Sequence, residues 1–328
     1  MADSYEIVRN AAGLCDLGAE GRMKIVGTDA IDGVNALFSM DLETALPGGG
    51  LSGMFLDESA KIIAFATIFI DDEDLFLITE PSTADVLMTY LSDKLANRDA
   101  KIQDLSSTHD WISILGPKAQ EIMIEVGGDD ILGLPYLSFE HNQDLDLKVF
   151  RMGGCGEFEY RLLCPKDRTE TIISELLRRG ESFGLALIEA SVMPLLELEM
   201  RTLRLADIPE GVTPIDCGLH WMIDFRKETF PGSDVIHAAK EKPAHRMVML
   251  SFPKGSHAEA GGRITIEGQD MGYLVRVIHS PALDQTVGLA LADPDFGWVG
   301  VSFETNDDGS LGTATSAPLF ITKTVMEA

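Results

Sequence analysis

Residues 218–232 read GLHWMIDFRKETFPG, and residues 276–293 read RVIHSPALDQTVGLALAD. The first stretch places Trp221 ahead of two cations, Arg226 and Lys227, and closes on Phe230-Pro231-Gly232. Such cations hold a carboxylate by charge-assisted hydrogen bonds. The same residues without a ligand make a surface turn of mixed charge. The second stretch sits in a series of short apolar or alternating runs at 246–252, 263–267, 272–278, 286–292, 298–303 and 318–322. Gly, Pro and Asp separate them, and no convincing helix pattern remains beyond about residue 243. That is the signature of a small all-β domain, a barrel or jelly roll. It sets an expected boundary near 241–245, with regions 1–242 and 243–328.

Upstream the pattern alternates between strand and helix. Residues 22–26 (RMKIV) read as a strand, and Thr28 opens a helix with Ile31, Val34, Asn35, Leu37 and Phe38 as a mostly apolar stripe. After Lys61 the run 61–70 (KIIAFATIFI) is a nearly continuous apolar run with β-branched residues, so it reads as a buried strand. The acidic turn 71–74 and the run 75–79 make it half of a hairpin. Pro81-Ser82-Thr83 opens a helix, with Asp85 placed as in a capping box after Ser82. Strands are expected at 111–115, 147–152 and 158–163, and a short helix at 118–126. Residues 165–179 form an amphipathic helix whose last turn carries Arg178 and Arg179 before Gly180 stops it. The fold class is α+β.

The 328 residues exceed one ordinary core. There are 53 acidic and 26 basic residues, for a net charge of −27. Phosphate backbones are repelled by such a field unless basic residues cluster. The clusters at 240–242 and 178–179 are short, so no nucleic-acid partner is expected. No apolar run reaches the roughly 18 residues of a membrane span. The opening MADSYEIVRN has neither a basic nor an apolar leader region, so the expectation is a cytoplasmic protein with no membrane contact. Cys15, Cys155, Cys164 and Cys217 form no CxxC pair and read as reduced, buried thiols. The seven histidines show no HxxxH spacing, and no metal site is expected.

Gly48–Gly53 satisfies GxGxxG in form, but Pro47 precedes it and the extended MFLDE follows. A dinucleotide site needs a strand before and a helix after, so this reads as a turn. Residues 153–160 (GGCGEFEY) read as a glycine-rich turn feeding a strand, with acids at its rim.

Several short motifs fall in order along the chain: 13–17 (GLCDL), 26–30 (VGTDA), 55–58 (FLDE), 115–119 (LGPKA), 156–165, 202–205 (TLRL), 218–232, and 280–281 before 288–290. In this order and spacing the chain resembles the glycine-cleavage T-protein (aminomethyltransferase) family of tetrahydrofolate-binding proteins. The resemblance implies an aminomethyltransferase-like cloverleaf of three subdomains, two interleaved α/β subdomains plus a C-terminal β-barrel, around an opening for the pterin. It implies tetrahydrofolate as cofactor and a small one-carbon donor as substrate. Arg226 or Lys227 would meet the folate tail, Glu157 would line the pocket and Trp221 would pack nearby. The family's acid is the second aspartate of a GGIxDDL-like strand; the matching run 60–66 places Ala64 and Phe65 at the two aspartates. Its LRLEAG glutamate matches Ala206, flanked by Glu199 and Asp207, and its GYTGE tyrosine matches Gly154. The KGC loop of the iron–sulfur-assembly branch has no cysteine here. No catalytic residue is assigned. Two functions stand open: a tetrahydrofolate-dependent one-carbon transferase with its usual aspartate replaced, and a non-catalytic folate-binding regulatory or iron–sulfur-assembly-type protein with a protein partner. A third, a scaffold, follows if Phe65 fills the pterin site.

Overall fold

The computed structural model describes residues 2–305 and 309–324. The chain divides into two compact units: Met1–Phe55 with Ile63–Leu196 and Ile321–Ala328, and Leu56–Ile62 with Glu197–Phe320.

The first unit is built on two sheets. One has six strands in the order Leu185–Leu187, Ala12–Asp16, His109–Leu115, Glu159–Pro165, Leu147–Arg151 and Ser138–Asn142. Only its first pair is parallel. The other has five strands in the order Gly50–Leu56, Ile62–Asp71, Asp74–Thr79, Gly21–Val26 and Lys101–Asp104. The chain starts in the first sheet, leaves after Asp16 to build all of the second, and returns at His109, so the two halves are interleaved.

The apolar run of Ile62–Asp71 is explained by what it meets on each face. Ala64, Ala66, Ile68 and Ile70 point into a cluster with Val34, Leu87 and Leu91 from the helices Ala30–Asn35 and Ala84–Lys94. Phe69, on the other face, joins Phe76, Trp111, Phe139 and Phe150. Phe150 lies 5.0 Å, ring centre to ring centre, from each of Phe69, Trp111 and Phe139. This aromatic layer holds the two sheets together, where edge-to-face pairs add to the burial of large rings. A third cluster packs the helices Ala119–Gly127 and Thr169–Gly180 on the far side of the six-stranded sheet. The unit is thus layered helix, sheet, sheet, helix.

The second unit contains a closed six-stranded barrel, in the order Arg246–Ser251, Gln285–Ala292, Gln269–Ser280, Arg263–Ile266, Ser302–Thr305 and Leu311–Thr315. Closure leaves no unpaired strand edge. Leu250, Phe252, Leu274, Ala290 and Phe303 fill it. Gly312 makes room for Phe252, since a Cβ there would lie 2.5 Å from that ring. The expected boundary at 242/243 falls between the helix Ser233–Glu241 and the first barrel strand. The α+β class with a barrel at the C-terminal side is the class observed.

Some local expectations are corrected. The run 298–303 is mostly turn: Asp293 O accepts the N–H groups of Phe296 and Gly297, Gly300 sits at φ +92, and the strand starts at Ser302. The run 318–322 is not a strand; the barrel closes earlier, on Leu311–Thr315. Pro318 has no N–H to give a ladder, and Thr322 bonds Gly156 O instead. The helix Ala84–Lys94 takes Thr83 as its N-cap without a side-chain capping bond, so Ser82 and Asp85 form no capping box. Gly50–Leu56 is itself a strand, so no helix N-terminus follows the GxGxxG residues.

Candidate functional site

Residues 153–161 form a buried charge cluster in the first unit. Glu159 and Arg161 stand two apart on one strand and so share a face. Arg161 Nε donates to Glu159 Oε1 at 2.7 Å and its Nη1 to Glu20 Oε2 at 2.6 Å. Ser113, opposite Arg161 in the ladder, donates to the same Glu159 oxygen at 3.0 Å. Gly153 is required here, because a Cβ would lie 2.4 Å from Glu159 Oε2.

Glu157, expected to line a pocket, is buried with both oxygens engaged. Arg9, from the helix Ala2–Asn10, donates to Oε1 at 3.0 Å, and Thr324 Oγ1 donates to Oε2 at 2.5 Å. Burial raises the Glu157 carboxyl above its ordinary range, and the bonds from Thr324 and Arg9 oppose that shift. Cys155 is also buried, and desolvation pushes its thiol up, so it is inert as a nucleophile. All four cysteines are free and buried.

The other expected residues lie in the second unit. Glu199, at the end of the helix Met193–Glu199, is fully buried and accepts from Ser280 Oγ at 2.6 Å. Trp221 is 66% exposed, in the single turn His220–Met222. Arg226 is clamped by Asp224: its Nε and Nη2 reach the two carboxylate oxygens at 3.0 and 2.8 Å. Asp224 also accepts the backbone N–H of Arg226, and these bonds hold its carboxyl down at about 2. The clamp sets the direction of an exposed guanidinium that would otherwise wander. Lys227 is half-buried, its N–H on Asp224 O. Gly232 ends the segment at φ +80, where a Cβ would meet Asp57 O at 2.6 Å. That close approach ties Leu56–Ile62 into this unit.

Ala64 and Phe65 are both buried, and alternation along Ile62–Asp71 sends them to opposite faces. Ala64 faces the helices, while Phe65 shares its face with Thr67 and Phe69.

A family model for the GCVT N-terminal domain matches residues 1–227. The chain belongs to this glycine-cleavage T-protein family. Curated relatives include an aminomethyltransferase of Thermoanaerobacter sp. (strain X514), 23% identical over 93% of this chain and 84% of the relative. Another is an aminomethyltransferase of Bacillus subtilis (strain 168), 25% identical over 90% of this chain and 83% of the relative. The crystal structure of the glycine cleavage system aminomethyltransferase T from Bartonella henselae has the same fold. It superposes with a TM-score of 0.88 at 19% identity, covering 98% of this chain and 89% of that one.

The expected residues therefore divide: Glu157 belongs to one unit, and Glu199, Trp221, Arg226 and Lys227 to the other. Sequence reading missed the partners that fix them. Asp224 carried a local signal, as an acid two residues before Arg226. Ser280, Arg9 and Thr324 carried none, because each meets its glutamate across a long stretch of chain. Among the described residues, no group of three or more His, Cys, Asp or Glu is placed to hold a metal, and no helix is long and apolar enough to cross a membrane.

Proposed function

We propose that this chain is a member of the T-protein family that binds folate but lacks the family's strand acid and the proton chemistry that acid performs. Tetrahydrofolate supplies the nitrogen atoms that carry a one-carbon unit; the question is which of this chain's residues suit it. Arg226, aimed by Asp224, and the exposed ring of Trp221 suit the carboxylate tail and its aromatic neighbour. The position that the motif match gives to the acid does not suit proton handling. It holds Phe65, and no acid lies between Lys61 and Ile70 to take its place. This is the observation that carries the reading, because phenylalanine has no exchangeable proton and general acid–base catalysis needs one.

The motif glutamate is better placed at Glu199 than at Ala206. In LRLEAG a glycine stands two residues after the glutamate, which suits a left-handed backbone. Two residues after Glu199, Arg201 is at φ +60. Two after Ala206, Ile208 is at φ −103. The run 196–199 (LELE) also keeps the motif's alternation. A buried acid kept at Glu199 favours a second reading, in which another one-carbon donor is processed without a strand acid.

Arg226→Ala is expected to weaken tetrahydrofolate binding about tenfold, as for loss of one charge-assisted contact; unchanged affinity removes Arg226 from the site. Phe65→Asp, checked for folding by circular dichroism, separates the two roles of that position. Gain of donor turnover supports a missing acid. Gain of folate affinity alone supports a pocket filled by the ring.

A further inference from the structure

A concave site lies wholly within the second unit, and none of Glu199, Trp221, Arg226 or Lys227 lines it. It is a cleft of about 490 Å³ between the segment before the barrel, the first barrel strand and the 297–299 turn. Its size is that of a small-molecule site. Arg201, Lys240, Arg246 and His220 face it, in a molecule whose net charge is −27.

Charges of one sign gathered in this way are unfavourable unless something of the other sign joins them. Among the described residues none of the three cations forms an ion pair. The one carboxylate in the lining, Asp216, is already engaged: one oxygen accepts the N–H of His245 at 2.8 Å, the other the N–H and hydroxyl of Thr213 at 2.9 and 2.7 Å. Arg201 gives its Nη2 to the carbonyls of Met247 and Cys217 at 2.8 and 3.2 Å, which fixes it at the wall. Arg246 lies over the ring of Trp298 at 3.7 Å, and its buried Nε has no hydrogen-bond partner among the described residues. Gly297 leaves room for its stem, since a Cβ there would lie 2.8 Å from Arg246 Cβ and Cδ. Lys240 sits 4.0 Å over Phe225 at the rim. Burial foremost, then Lys240 and Arg246, lowers His220; burial foremost, and also Arg246, lowers Arg201.

We propose that this cleft binds a small, multiply charged oxyanion, a polycarboxylate or a phosphate ester, with Arg246 and Arg201 as fixed donors and Lys240 as the mobile one. Planar guanidinium groups held by stacking and by carbonyls are preorganised for oxyanion recognition. An oxyanion is also the acceptor that the cluster lacks. The inference stands apart from folate binding, because it uses none of the same residues.

The test is calorimetric titration of the full chain, at constant ionic strength, with inorganic pyrophosphate and separately with tricarballylate. One of them is expected to saturate at one per chain with a sub-millimolar Kd. The tighter probe identifies the source as phosphate or carboxylate. Arg246→Gln is expected to weaken it about tenfold and the exposed Lys240→Gln about threefold, as for loss of charge-assisted bonds. Circular dichroism checks that both variants fold. Saturation by neither probe below about 5 mM, worth roughly 3 kcal/mol, overturns the proposal. So does binding that survives both substitutions unchanged.

Discussion

Two regions of this molecule treat charge in opposite ways. Around Glu157 and Glu159 the groups are buried and every acid has its base: Arg9 meets Glu157, and Arg161 meets both Glu159 and Glu20. In the cleft lined by Arg201, Lys240 and Arg246 three cations collect, and the one carboxylate of the lining, Asp216, forms an ion pair with none of them. The first arrangement is complete without a ligand and holds a helix, a glycine-rich loop and the 322–324 segment together. The second is complete only with one. A charged residue in a glycine-rich turn is therefore weak evidence of a binding site, while unanswered charge in a concavity is stronger evidence.

The largest effect should come from breaking the buried pair. Arg9→Met leaves Glu157 buried with Thr324 alone, and should cost about 3 kcal/mol or more in urea unfolding. The sign of the pH dependence follows from the raised Glu157 carboxyl. The folded state holds that proton more tightly than the unfolded chain, so stability falls as pH rises through the raised pKa. The loss in Arg9→Met should therefore shrink in acid. A loss that is small and flat with pH would break the contrast between the regions.

The same substitution made in both regions sharpens it. Gly153→Ala forces a Cβ to 2.4 Å from the held carboxylate of Glu159, at φ +154, and should cost about 1–3 kcal/mol. Gly297→Ala brings a Cβ to 2.8 Å from Arg246 Cβ and Cδ but without a left-handed φ, so it should cost less, while loosening the cleft's grip on an anion. Thermal unfolding of the two variants decides the order.

Lys240→Gln should change stability by no more than about 1 kcal/mol, since it trades a rim cation–π contact for relief of like charge. The smallest effect belongs to Asp224 and Arg226. A carboxyl held at about 2 contributes stability that is present above its ordinary pKa and lost as pH falls through 2. Arg226 is mostly exposed, so the amount should stay under about 1 kcal/mol and fade with salt. Acid unfolding of wild type against Arg226→Gln measures it.

Much of the fold was legible because it rests on patterns that survive in one dimension. The apolar run read as a buried strand became Ile62–Asp71, which is buried on both faces. Four of the six short runs expected beyond residue 243 became barrel strands, Arg246–Ser251, Arg263–Ile266, Gln269–Ser280 and Gln285–Ala292. The strand Leu311–Thr315 was not legible: Gly312 is small because Phe252 fills the space it leaves, and small residues such as Gly312, Thr313 and Ala314 carry no apolar signal. Helix Ser233–Glu241 escaped because its start, Gly232, is a left-handed turn packed on Asp57 rather than a capping side chain. At the candidate site Arg226 could be read but its clamp to Asp224 was passed over. The cleft was invisible because Arg201, Lys240, Arg246 and Trp298 come together only through folding.

The most direct test of the central claim is anaerobic calorimetric titration of the full chain with tetrahydrofolate, paired with a turnover assay using an aminomethyl donor. Folate binding without the strand acid predicts saturable, one-to-one binding near micromolar, about −8 kcal/mol, and no turnover. No saturation at about 1 mM, roughly −4 kcal/mol, would contradict folate binding. Turnover with Phe65 in place would contradict the loss of chemistry.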